Sequence, residues 1–496
     1  MRGLDLAVIV AYLVASAVVG LWLSGKQKTL KGYFLGDRDL PWWAVALSVV
    51  ATETSALTVI SVPAVAYLGD ITFLQLAIGY LIGRIVVAFV LLPKYYAGEM
   101  VTAYAYLGKR FGRGMQSTAS VAFLGTRLLA DGVRMFACAI PVKVILDGMG
   151  MDVSFFWIIV VLSLVTVVYT YIGGIRAVVW VDVFQMGVYV LGALLALAVL
   201  VNGAGSGFWS EAVAAGKTRL FDFASDPVSS PYAFVTAIVG GALLSMASHG
   251  ADQIIVQRLL SCRSLKDAQL ALIGSGVIVF AQFAVFLFVG LALWGYYDQQ
   301  TPEQIGASPA GDDIFPRFIV EGLPVGLSGL LLAGILAAAM STLSSSLSAL
   351  SSSTMTDLYE KFVGEPASDE KALRISRITT IGWGAVFIVF ANLFTNTDNP
   401  VVELGLSVAG ITYGGLLGAF FLGIFVPRAL QLDAMIAFLV AVATMAYLFL
   451  FQAELIGFTW YTGIGLVITM VLGGLLSLRH PRAPVEPDRE PVGVEH

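Results

Sequence analysis

Charged residues are scarce in this sequence: Asp, Glu, Lys and Arg together make up 12% of 496 residues, against about 25% in ordinary soluble chains. So little charge cannot cover a water-facing surface, and a soluble fold is excluded. Cysteine is nearly absent, with Cys138 inside an apolar block and Cys262 in a short basic joint. Two thiols in such different settings make no disulfide framework, and both read as structural. Histidine is limited to His249, His480 and His496. With so few soft ligands the chain does not read as a transition-metal enzyme. The 28 basic and 33 acidic residues leave a net charge of −5. The basic ones sit at the ends of apolar blocks and form no stripe that a nucleic acid could follow, so nucleic acid is not a partner.

What the sequence does have is apolar length. Hydrophobic residues make up 58% of it, in blocks of about 18 to 25, the length a helix needs to cross roughly 30 Å of hydrocarbon. The fold class is therefore an all-α polytopic membrane protein, embedded in a lipid bilayer. Thirteen spans are expected, at 6–23, 42–67, 72–92, 118–145, 153–171, 180–201, 233–256, 268–295, 325–354, 375–395, 401–425, 432–451 and 458–478. They form one transmembrane domain over 1–478, with a disordered cytoplasmic tail over 479–496. The first block has no small-residue cleavage site after it and is followed by Lys26, Lys28 and Lys31, so it reads as a retained span. With the N-terminus outside, 20 basic residues fall in the inner joints and tail and only Arg2, Lys217, Arg219 and Arg317 in the outer joints. Basic residues favour the cytoplasmic side, which places the C-terminus there, in a plasma membrane. The outer joints around 203–231 and 297–322 are long enough for short re-entrant or surface helices.

An ion inside a span costs about 2.5–3.5 kcal/mol on insertion scales and so marks a cavity or pathway. The second span reads Ala51-Thr52-Glu53-Thr54-Ser55-Ala56 at its middle, with Pro63 beyond. Unwinding there frees carbonyls for a cation beside the Glu53 charge; the other reading is a straight helix whose hydroxyls bond back to it, with Glu53 paired to a neighbour. The seventh span carries Gly240-Gly241 and then Ser248-His249-Gly250-Ala251-Asp252-Gln253. Two interrupted spans five apart are the relation expected of two inverted five-helix repeats. His249 is open between solute contact and packing, while Asp252 and Gln253 fit the break itself or a gate beside Gln257 and Arg258. In the ninth span Ala338, Ser341, Thr342 and Ser345 are spaced by three and four and share one face. Neutral oxygens suit sodium better than calcium; a small-residue packing face is the alternative. Asp182 is read as a cation relay or as the partner of Arg176. Arg134 is read as the partner of Asp131 or as the receiver of a solute carboxylate.

These residues resemble the sodium:solute symporters, a family of carriers for glucose, proline, sialic acid, iodide and vitamins. The likeness runs from Tyr33-Phe34-Leu35-Gly36 and Leu40-Pro41-Trp42-Trp43 through Tyr169-Thr170-Tyr171-Ile172-Gly173-Gly174-Ile175-Arg176-Ala177. It continues in Asp252-Gln253, Val256-Gln257-Arg258 and Thr356-Asp357-Leu358-Tyr359. The resemblance implies a leucine-transporter-like 5+5 inverted-repeat core over 42–425, with one helix before it and two after, working by sodium-driven alternating access. It implies a sodium site at the carbonyls of Ala51, Thr54 and Ala338 and the hydroxyls of Ser341 and Thr342. A second sodium site, found in some members, would fall on Asp182, Ser344 and Ser345, with Ser341 open to both. Candidate solute contacts are Glu53, Ser55, Thr58, Arg134, His249, Gln253 and Tyr413. Glu53 departs from sugar and sialic acid carriers and matches the acidic residue of proline carriers. That leaves an amino acid, a compatible solute, a carboxylate or another small nutrient as cargo. A solute sensor is the alternative function, against which stands the lack of a relay domain after the last span. A membrane enzyme is not supported, because His249 has no nucleophile partner.

Overall fold

The structure is a computed structural model and describes residues 3–480 except 26, 99, 149, 206, 310, 365–367, 394–400 and 453–455; most of the expected tail, 481–496, lies outside the described residues. Among these residues the fold is all helical, and Leu40 and Cys262 form its one isolated β-bridge. Among the described residues nine helices are long and apolar enough to cross a membrane, ten when one bent pair is taken as a single span. Their outer faces carry the apolar side chains that lipid requires: on the helix Gly3–Ser24, Val10, Val14, Val18 and Trp22 all point out. The polar residues turn inward.

The helix Leu327–Ser353 runs through the centre, with 83% of its most apolar stretch buried. Its serine- and alanine-rich sequence allows the close approach that a crowded centre needs. Around it pack Gly3–Ser24 and the 50-residue Phe155–Ala204. That long helix breaks at Gly174, where φ is 57° and a Cβ would lie 2.3 Å from the Tyr33 carbonyl. Only glycine fits such a point.

Both interrupted spans are interrupted. Trp42–Glu53 and Ala56–Leu68 meet at an angle of 65°. Thr54 leaves helical geometry with ψ 97°, and the Ser55 hydroxyl caps the second piece by accepting from the Thr58 amide at 3.3 Å. In the seventh span a π-helical turn, Thr236–Gly240, leads into Gly241–Gly250. The chain breaks at Asp252, whose carboxylate accepts from the Ile254 amide at 2.9 Å and starts Gln253–Leu259. Short helices Phe208–Ala214 and Ile314–Glu321 occupy the two long joints.

Candidate functional site

The two breaks face one another across a cavity of about 180 Å³. A helix end leaves its last carbonyls without amide partners; at the second break the Gly250 carbonyl is taken by the Tyr95 hydroxyl. Glu53, Ser55, Thr58, Arg134, His249 and Tyr413 all border this cavity. Phe73, Tyr80 and Phe283 supply apolar walls, joined by Tyr232 from the turn before the seventh span and Phe458 from the short 3-10 turn Phe458–Trp460. Gln253, expected as a solute contact, does not line it. Its Oε1 accepts from the Ala103 amide at 2.8 Å and its Nε2 donates to Val101 O and Ser352 Oγ, both at 3.3 Å. Gln253 ties the short helix beyond the break to the start of Ala103–Phe111.

The cavity's charges are largely balanced before any solute arrives. Glu53 is paired with Arg84, whose side chain is fully buried and also donates to Ser275 Oγ at 2.8 Å. His249 Nε2 stands 3.7 Å from Glu53 Oε2, beyond hydrogen-bond reach, and Nδ1 meets Ser248 Oγ at 2.8 Å. Across the cavity Arg127 is saturated. It pairs with Asp252, reaches Asp131 Oδ1 at 3.2 Å and donates to the Tyr413 hydroxyl at 2.6 Å. Arg134 differs: among the described residues it has one long contact, 3.4 Å to the same Asp131 Oδ1, and 19% of its side chain is exposed. The Arg134–Asp131 pair read from the sequence is present, but Asp131 is shared with Arg127 and also accepts from Ser346 Oγ at 2.6 Å.

The residues expected to hold sodium gather beside this space. The Thr54 hydroxyl is spent, donating to Val50 O at 2.8 Å and accepting from Gln282 Nε2 at 2.7 Å, which leaves its carbonyl for an ion. Thr342 borders the cavity and donates to the Ala338 carbonyl at 3.1 Å. A hydroxyl that donates keeps its lone pairs, so these oxygens remain able to meet a cation. Ala51 is fully buried one turn before the break. Ser341 donates to Asp182 Oδ1 at 2.7 Å, and Ser344 and Ser345 donate to the Ser341 carbonyl at 3.0 and 2.5 Å.

Of the two readings of Asp182, the pairing with Arg176 does not hold. Arg176 reaches Asp39 at 3.5 Å, whereas Asp182 pairs with Arg258 at 3.1 Å, both of them fully buried. Arg176 is near Asp182 only in sequence; the break at Gly174 turns it toward the joint that holds Asp39. Arg84, Arg127 and Arg258 were not singled out as partners of these acids. For Arg84 the signal was there: a lone charge in the middle of an apolar span requires a partner.

Two broken helices facing one cavity, with charged and hydroxyl groups set in apolar walls, inside a helical membrane bundle define a secondary transporter. The chain belongs to the sodium:solute symporter family, whose profile matches residues 33–441. It is 31% identical to the sodium/sialic acid symporter SiaT of Proteus mirabilis, over 96% of this chain and 95% of that protein. It is also 31% identical to the human sodium/iodide cotransporter, over 85% of this chain and 66% of that longer protein. A solved substrate-bound, outward-open structure of a Na+-coupled sialic acid symporter, described with a novel Na+ site, superposes with a TM-score of 0.85. Identity to it is 28%, with 97% of this chain and 99% of that one covered. The protein is a multi-pass membrane symporter that couples a small solute to sodium, and a sensor role is not supported.

Proposed function

We propose that the solute is a small organic anion, received by Arg134 in the cavity between the two breaks. The carrying observation is the uneven charge balance. Glu53 is neutralised by Arg84 and offers no free carboxylate to an amine, and Arg127 is saturated by Asp252 and Asp131. Arg134 alone has capacity left and is partly exposed, and a guanidinium suits a carboxylate. Ser55 and Thr58 offer hydroxyls, and the aromatic walls favour an organic body over a bare inorganic ion. Sialic acid and iodide, the cargoes named for two relatives, are both anions.

An anionic cargo raises the value of a second sodium. One sodium with one monovalent anion moves no net charge and gains only about 1.4 kcal/mol from a tenfold gradient, roughly tenfold accumulation. Two sodium ions add a net charge worth about 2.3 kcal/mol per 100 mV, for roughly 5.1 kcal/mol and about 5000-fold accumulation. We therefore assign one sodium to Ala51, Thr54, Ala338, Ser341 and Thr342, and a second to Asp182, Ser344 and Ser345. The thirteen-span reading is kept: the two halves of Phe155–Ala204, the charged helix Arg113–Gly148 and the broken seventh span, added to the remaining spans, give that count. The core is then a 5+5 inverted repeat over 42–425 within a single domain, in a plasma membrane with the N-terminus outside. In that orientation the cavity opens outward, toward Tyr232 and Phe458.

A thermal-shift screen of the purified protein against small nutrients tests the cargo class. Organic anions should stabilise it, and only with sodium present. Stabilisation by sugars or amines with no response to any carboxylate would overturn the anion reading.

A further inference from the structure

The carboxylate assigned to the second sodium already has a cation beside it. Arg258 Nη2 lies 3.1 Å from Asp182 Oδ2 and 2.5 Å from Ser345 Oγ, Nε donates to Ser48 Oγ at 2.8 Å, and Nη1 donates to its own helix at Ile254 O, 2.9 Å away. Ser48 in turn donates to Asp182 Oδ2 at 2.5 Å. One guanidinium thus ties together four helices: Trp42–Glu53, Phe155–Ala204, Gln253–Leu259 and Leu327–Ser353. Two of them are pieces of the two broken spans. Gln257, one residue earlier, adds a bond to Phe34 O at 2.9 Å and one to Ser348 Oγ at 3.2 Å. Arg258 itself does not line the cavity. In the orientation proposed above, the cluster lies on the cytoplasmic side of the cavity, where an inner gate would stand.

A buried charge pair costs desolvation that its attraction barely offsets, and its best-attested use is as a switch or register. Here the two oxygens of Asp182 are divided. Oδ1 faces Ser341 on the ion-binding helix at 2.7 Å, and Oδ2 faces Arg258. We infer that Arg258 is a tethered cation that competes with the second sodium for Asp182, so that sodium binding weakens the clamp holding the inner gate shut. Sodium on Oδ1 draws charge from the carboxylate and repels the guanidinium; the short helix Gln253–Leu259 then loses its central tie and is held only by the weaker neutral bonds of Gln253 and Gln257, which can yield as it swings. The inference rests on the second-sodium reading above.

Equilibrium binding of radiosodium to the purified full chain, with wild type, R258Q, S48A and D182N in parallel, tests it. Removing the competitor in R258Q should raise the affinity of the second sodium on the order of tenfold, within the usual range of coupling between sites. Reconstituted R258Q should also leak sodium without solute. S48A takes one bond from the guanidinium and one from Asp182 Oδ2 while leaving Oδ1, Ser344 and Ser345 in place, so it should shift affinity in the same direction by a smaller factor and serves if R258Q does not fold. D182N should bind one sodium fewer. Loss of a sodium in D182N with unchanged affinity in R258Q and S48A would end the competition and leave the second site standing. Wild-type sodium binding in D182N would end both.

Discussion

Glu53 and Asp182 are both carboxylates at membrane depth, and each is paired with an arginine whose side chain is fully buried. Their surroundings set them apart. Glu53 borders the cavity with 17% of its side chain exposed, and Arg84 holds it from a continuous helix, Leu74–Val90. Asp182 is sealed, and Arg258 holds it from a seven-residue helix lying just beyond a break. The first pair removes a charge from the cavity, leaving Arg134 to set the field a solute meets. The second joins separate pieces of the bundle and can be broken by moving one of them. The same ion pair is a fixed charge balance on a rigid helix and a latch on a short one.

The contrast is broken most severely at Arg84. Arg84→Gln leaves Glu53 uncompensated, which costs about 3–5 kcal/mol for a buried pair, and should abolish recovery of folded protein in size-exclusion profiles. The double variant Arg84→Gln/Glu53→Gln should restore most of it; equal stability of the single variant would show that Glu53 needs no balance. Arg134→Gln should raise the half-saturating solute concentration at least about tenfold, the equivalent of losing a hydrogen bond to a charged group, with melting temperature unchanged. Thr342→Ala removes a neutral ligand worth about 1 kcal/mol, and the sodium needed for half-maximal uptake should rise roughly fivefold at constant solute affinity. The smallest effect on solute affinity is expected for Gln253→Ala, within about twofold because its bonds go to Ala103, Val101 and Ser352. A tenfold change in solute affinity there would put Gln253 back among the contacts.

Much of the scaffold was legible because the bilayer simplifies the code. Apolar blocks mark spans, and polar runs inside them mark breaks, as at Thr54-Ser55 and Ala251-Asp252. Periodicity correctly put Ser341, Thr342 and Ser345 on one helical face. The partners of charges were not legible in the same way. Sequence proximity suggested Arg176 for Asp182, but pairing is decided by which helices pack together, and Arg258 arrives from 76 positions away. Arg127, four residues from Asp131, was hidden for the opposite reason: a local pair was in view through Arg134, while the stronger tie to Asp252 spans 125 positions. A pairing of Glu53 was open in the sequence, but its partner was not legible because Arg84, 31 positions on, sits in another span.

The ratio of sodium to solute moved separates the roles of the two carboxylates most directly. In proteoliposomes loaded with potassium and held inside-negative, radiosodium and a labelled small carboxylate should enter at two sodium ions per anion, with uptake faster as the potential grows and absent when choline replaces sodium. A ratio of one, unaffected by voltage, would contradict the second cation at Asp182 and with it the division of roles between the two buried carboxylates.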